Sequence, residues 1–202
     1  MAEVGASHNF GTSARRWLKP AAFVVALLPF AWWGYRALNG QLGANPIEAT
    51  TRYLGDWALR FLLIALAVTP VRLLTKWNTI GRMRRMLGLF AFFYVTLHVM
   101  SYVGLDLFFD MQALLQEIVK RRYITVGMFA LVILIALAAT STDAMIRKLG
   151  GKRWRGLHRL VYPAAIAGVI HYYMMVRAGF IEPLTYGLIL AALFAVRILK
   201  RA

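Results

Sequence analysis

Residues 84–106, RRMLGLFAFFYVTLHVMSYVGLD, and residues 152–176, KRWRGLHRLVYPAAIAGVIHYYMMV, share one layout: a basic cluster, a long apolar run, and a histidine far along that run. Runs of this kind reach the roughly 20 apolar residues that a hydrocarbon core requires. Working outward from these two, apolar runs bounded by charge, Gly or Pro recur at 20–38, 54–74, 86–103, 123–140, 157–177 and 183–199. Of the 202 residues, 60% are hydrophobic and 16% charged, and mean hydropathy is +0.61. Six spans of roughly 20 residues use nearly all of that apolar content. The expected fold class is therefore an all-α integral membrane protein with six transmembrane helices, a tail over 1–19 and one domain over 20–202, with no separate soluble domain.

The formal charge of +16 invites a nucleic-acid reading, but its distribution argues for topology instead. With six spans, both termini share one face, and 17 of the 24 Lys and Arg fall on it, in the N-terminal segment, the 72–85 and 147–159 connections and the C-terminus. The positive-inside rule makes that face, and both termini, cytoplasmic. Ser13–Lys19 ahead of an apolar run also looks somewhat like a twin-arginine export signal. No small-residue cleavage site follows it and five further spans do, so it reads as topogenic charge.

The chain has no Cys, which excludes disulfides, iron–sulfur clusters, thiolate-held metals and covalent c-type haem attachment. Only His8, His98, His158 and His171 are available. His8 lies in the polar tail and takes no role. Histidine inside a membrane helix is costly and rare, so its default reading is functional. His98 lies 12 residues, about 18 Å, along a helix starting near Met86, and His171 lies 14 residues, about 21 Å, along one starting near Leu157. Their depths match. Two neutral imidazoles at one level on two helices are what a b-type haem needs, and closing both axial positions favours electron transfer over oxygen chemistry. His158 lies about 20 Å below His171, a spacing that suits a second, inner haem. Its partner position on the third span is Arg85, so that site lacks a second imidazole.

Arg60, inside the second span at the level of the histidines, is open to two readings: a haem propionate, or a helical pair with Asp56 four residues earlier. Arg84, Arg85, Arg153 and Arg155 at the cytoplasmic end suit a flavin phosphate or a propionate, and topology alone also accounts for them. Leu107, Phe108, Met111, Leu114, Leu115 and Ile118 recur at helical spacing, which predicts an amphipathic helix on the outer leaflet. The Lys120-Arg121-Arg122 run at its end reads either as a lipid-headgroup anchor or as a docking edge for an outer partner.

Four segments then resemble a known family: Tyr53 to Arg72 (YLGDWALRFLLIALAVTPVR), Arg84 to Asp106, Lys120 to Met128 (KRRYITVGM) and Lys152 to Val176. Together they resemble the MsrQ (YedZ) family of haem-binding membrane subunits of methionine-sulfoxide reductase systems, within the ferric-reductase-like transmembrane superfamily. The resemblance implies a haem b protein of the bacterial inner membrane. It would pass electrons from the quinone pool or a cytoplasmic flavin donor to a periplasmic molybdenum-cofactor subunit that repairs oxidised methionines. The family's three haem-associated histidines fall on His98, His158 and His171, and FMN is also ascribed to the family, although no flavin motif is matched here. The wider superfamily usually carries two histidines on each haem helix, whereas the third span here has one. No flavin or nicotinamide domain follows the last span, so direct NAD(P)H oxidation within the chain is not expected. With no substrate pocket evident, the chain reads as a non-catalytic subunit of an oxidoreductase. Two alternatives stand beside it: a stand-alone ferric or quinone reductase domain, and a small transporter using the histidines as proton or metal sites.

Overall fold

The computed structural model describes residues 7–200, with side chains from Trp17 onward, so the side chains of His8, Arg15, Arg16 and Arg201 lie outside the described residues. Nine α-helices follow in order: α1 (Ser7–Leu38), α2 (Pro46–Thr75), α3 (Arg84–Ser101), α4 (Met111–Lys120), α5 (Arg122–Ala139), α6 (Asp143–Leu149), α7 (Gly151–Leu157), α8 (Val161–Met175) and α9 (Ile181–Leu199). The described residues contain no β-strand. α2 packs antiparallel to α3, and α5 antiparallel to α8; α1 lies against the first pair and α9 against α2 and α8.

The described helices include five that are long and apolar enough to cross a membrane, containing Trp17–Leu38, Pro46–Thr75, Asn78–Asp106, Arg122–Ala139 and Ile181–Leu199. The predicted fifth span, 157–177, is instead broken: α7 ends at Leu157, a 3-10 turn covers His158–Leu160, and α8 runs 15 residues from Val161. Pro163 falls in the first turn of α8, where its missing N–H would have had no helical partner. The bundle presents apolar side chains outward, among them Val24, Val25, Leu28, Phe129, Val132, Ile135, Leu184 and Leu188. Such a surface suits lipid and not water. The interior holds Leu54, Phe61, Leu62, Leu66, Phe90, Ala91 and Tyr94, with Ala164 and Ala165 letting α8 approach closely.

Prolines inside the helices free backbone groups that must bond elsewhere when no water is present. In α1, near Pro29, the Tyr94 hydroxyl inserts into the helical ladder: it donates to the Ala26 carbonyl (2.8 Å) and accepts from the Phe30 N–H (3.1 Å). Tyr53 donates to the Pro29 carbonyl (3.0 Å). In α2, Pro70 cannot bond the Leu66 carbonyl one turn before it, and the buried Arg197 guanidinium from α9 donates there, and to the Tyr162 hydroxyl as well. Arg197, counted above among topogenic charges, is therefore a structural donor.

The predicted amphipathic stretch 107–118 is helical only from Met111, because Asp110 caps α4 by accepting from the Ala113 N–H (2.9 Å). Ahead of it, α3 runs into a π-turn over Tyr102–Asp106, and Phe108 and Phe109 take the left-handed φ values +49° and +61°. Leu114 and Ile118 turn towards the bundle while Met111, Leu115 and Val119 stay exposed.

Candidate haem site

His98 sits in the last turn of α3 and His171 near the end of α8, so both lie at the end of the bundle opposite the basic connections. The fold brings them together. Their ring centroids are 6.2 Å apart, with the ring planes 80° from parallel. Each ring is anchored from behind. The His98 Nδ1 lies 2.8 Å from the Thr51 carbonyl of α2, and the His171 Nδ1 lies 2.7 Å from the Tyr123 carbonyl of α5. A carbonyl can only accept, so Nδ1 carries the proton in each ring and Nε2 keeps its lone pair. Neither Nε2 has a hydrogen-bond partner among the described residues.

The residues fit a haem. The described residues contain no group of three or more His, Cys, Asp or Glu that would hold a bare metal ion. Two imidazoles suffice only for a metal that brings its equatorial ligands with it, as haem does. Metal–nitrogen distances of about 2.0 Å, with each centroid about 1.2 Å behind its nitrogen, place two axial imidazole centroids about 6.4 Å apart. The spacing found here is 6.2 Å.

His158 is not part of this pair. It stands on the 3-10 turn at the basic end, stacked on Trp154 with centroids 3.9 Å apart; its Nδ1 lies 3.2 Å from the Trp154 carbonyl and its Nε2 3.4 Å from the Ser141 hydroxyl. Arg60 donates from Nε to the Tyr186 hydroxyl (2.8 Å), and its guanidinium lies over Trp57 at 5.0 Å. Of its two sequence readings, the helical pair with Asp56 is not formed as a salt bridge. Arg85 pairs with Asp143, whose carboxyl it holds below the usual range, while Arg84, Arg153 and Arg155 are exposed at the same end. Lys120, Arg121 and Arg122 are exposed at the histidine end. Arg121 pairs with Glu117 and donates to the Tyr123 hydroxyl (2.9 Å).

Tyr123 is the residue that sequence reasoning missed. Its carbonyl holds His171, its ring lies 6.0 Å from that imidazole and its hydroxyl meets Arg121. Thr51 was equally invisible, because the group it contributes is backbone.

Residues 54–169 match the family described as the ferric reductase like transmembrane component. Relatives agree over nearly the whole chain. A protein-methionine-sulfoxide reductase heme-binding subunit MsrQ of Rhodospirillum rubrum is 61% identical over 88% of this chain and 86% of its own length. Subunits of the same name from Herminiimonas arsenicoxydans and Polaromonas naphthalenivorans are 52% and 50% identical, over 90% and 91% of this chain and 84% and 87% of their own. The chain belongs to the MsrQ family of ferric-reductase-like transmembrane proteins. The matched region begins inside α2 and ends inside α8, so it takes in His98 and His158 and stops two residues short of His171. Membership in the MsrQ family makes this an all-α, multi-pass membrane protein.

Proposed function

We propose that this chain is the electron-transfer subunit of a bacterial protein-methionine-sulfoxide reductase system, holding one b-type haem between His98 and His171. The observation that supports this most is the facing pair itself: two imidazoles 6.2 Å apart, each tied at Nδ1 and leaving Nε2 without a protein partner. His98 and His171 would hold the haem through Nε2, and it would supply a one-electron carrier. The Thr51 and Tyr123 carbonyls hold the rings, and Arg60 would meet a propionate.

On this reading six spans cross the bacterial inner membrane and both termini are cytoplasmic. The 1–19 segment is a tail and 20–202 one domain. Electrons enter from the quinone pool or a cytoplasmic flavin donor at the basic end. Arg84, Arg85, Arg153 and Arg155 there would receive a flavin phosphate such as that of FMN, Arg85 by leaving Asp143. Electrons leave at the histidine end to a periplasmic molybdenum-cofactor subunit that carries the catalysis. The edge formed by Lys120, Arg121 and Arg122 docks that partner. His158, stacked on Trp154 and bonded on both nitrogens, takes no part in the pair and is left outside this haem.

The test is a dithionite-reduced minus oxidised spectrum, with pyridine-haem quantification, on the purified protein and on His98→Ala, His171→Ala and His158→Ala. A b-type spectrum lost in the first two variants and kept in the third is expected. A wild type without haem after expression with ample haem supply removes the reading.

A further inference from the structure

The two histidine anchors are built alike. In α2, Gly55 stands one turn after Thr51, and in α5, Gly127 stands one turn after Tyr123. A Cβ added at Gly55 would lie 2.9 Å from His98 Nδ1 and 3.1 Å from its Cε1; at Gly127 it would lie 2.8 Å and 3.0 Å from the same atoms of His171. Ordinary carbon contacts begin at about 3.5 Å, so neither imidazole could stay where it is beside an alanine. No other described glycine comes under 3.0 Å: the added carbon would lie 3.1 Å from the Phe109 ring at Gly104 and 3.2 Å from the Arg155 guanidinium at Gly151, has only Leu59 Cδ1 at 3.5 Å at Gly168, and meets nothing within 4 Å at Gly34 and Gly88. Glycine is a poor helix former, and general loosening of helix packing would place a neighbouring backbone over it. Here a ring nitrogen lies over both. The halves also correspond in register, with 43 residues from Gly55 to His98 and 44 from Gly127 to His171.

We propose that Gly55 and Gly127 are positioning residues for the two histidines: each leaves the notch through which an imidazole reaches the carbonyl one helical turn earlier, which fixes its tautomer and keeps the lone pair on Nε2. The inference rests on the haem reading above. A methyl group in either notch forces the ring off its carbonyl. The ligand then loses the hydrogen bond that makes it more basic, and its direction is no longer set.

The experiment compares Gly55→Ala and Gly127→Ala with Gly88→Ala and the wild type. It records reduced-minus-oxidised and low-spin EPR spectra, the midpoint potential, and the change on adding carbon monoxide to the reduced protein. Wild type and Gly88→Ala should show a six-coordinate low-spin centre that carbon monoxide leaves unaltered. Either notch variant should lose low-spin signal, shift its potential and become reactive to carbon monoxide, and the double variant should lose haem. Notch variants that match the wild type in all of these overturn the proposal while leaving the haem reading intact; a wild type without haem overturns both. A haem-independent measurement covers a variant that accumulates poorly. In a His98→Ala background there is no ring to collide with, so Gly55→Ala should cause no defect in membrane accumulation and leave the melting temperature unchanged or raised, as Ala in place of Gly in a helix allows. An undiminished defect in that background overturns the notch.

Discussion

His98 and His171 meet edge to face, 6.2 Å between centroids and 80° between planes, although one belongs to the α2/α3 hairpin and the other to the α5/α8 hairpin. Each hairpin orients its own ring: α2 offers a carbonyl to the histidine of α3, and α5 offers one to the histidine of α8. The gap is therefore defined by two walls, each with its own carbonyl brace.

Tyr94→Phe removes the hydroxyl bridging Ala26 and Phe30 and leaves a part-buried N–H and a buried carbonyl in α1 without that partner. Each orphaned group costs about 1–3 kcal/mol, so the detergent-solubilised protein should melt several degrees lower. The haem spectrum should be unchanged, because the groups that lose their partner are in α1, while the imidazoles are braced by α2 and α5.

Arg197→Ala takes the donor from the carbonyl that Pro70 orphans, whereas Arg197→Lys keeps a charge but loses the fork that reaches both Leu66 and Tyr162. A hydrogen bond from a charged donor contributes about 1.5–3 kcal/mol. Both variants should lower thermal stability, the alanine more. Combining Arg197→Ala with Pro70→Ala, which lets the helix satisfy Leu66 internally, should recover part of the loss.

Trp154→Leu abolishes the stack on His158, worth about 0.5–1.5 kcal/mol beyond its buried area, together with the bond from its indole N–H to the Thr140 carbonyl (2.9 Å). A modest fall in melting temperature is expected, with the low-spin spectrum of the His98/His171 pair retained. Loss of that spectrum would place His158 in the same unit as the pair.

Replacing Lys120, Arg121 and Arg122 by Ala should slow electron delivery to the soluble partner without changing the haem spectrum. The effect should shrink as ionic strength rises through the range where the Debye length falls below about 10 Å. Stopped-flow reoxidation by the purified partner measures it, and unchanged rates at low salt would remove the docking role.

Arg85 holds the Asp143 carboxyl below its usual 3.8, so the folded state binds that proton more weakly than the unfolded one. The pair's stabilisation is present above the usual carboxylate range and is lost as pH falls through the depressed value. The melting-temperature difference between wild type and Asp143→Asn should accordingly be seen at neutral pH and vanish at the acid end.

Much of this protein was legible from local pattern. Apolar run length identifies α1, α2, α3, α5 and α9, because a spanning helix must satisfy its backbone internally over a fixed thickness. Rise per residue alone matches the depths of His98 and His171. Local pattern failed where the deciding partner is a distant backbone group. Nothing near Thr51 or Tyr123 marks their carbonyls as imidazole acceptors, and nothing near Gly55 or Gly127 marks a notch, since those roles exist only once another helix lies across them. The role of Arg197 turned on a proline 127 residues away. Hydrophobic period and helix geometry are properties of neighbouring residues, and so they can be read along the chain. Tautomer, ring direction and the satisfaction of an orphaned carbonyl depend on how two hairpins approach in space, and they are set only when the bundle closes.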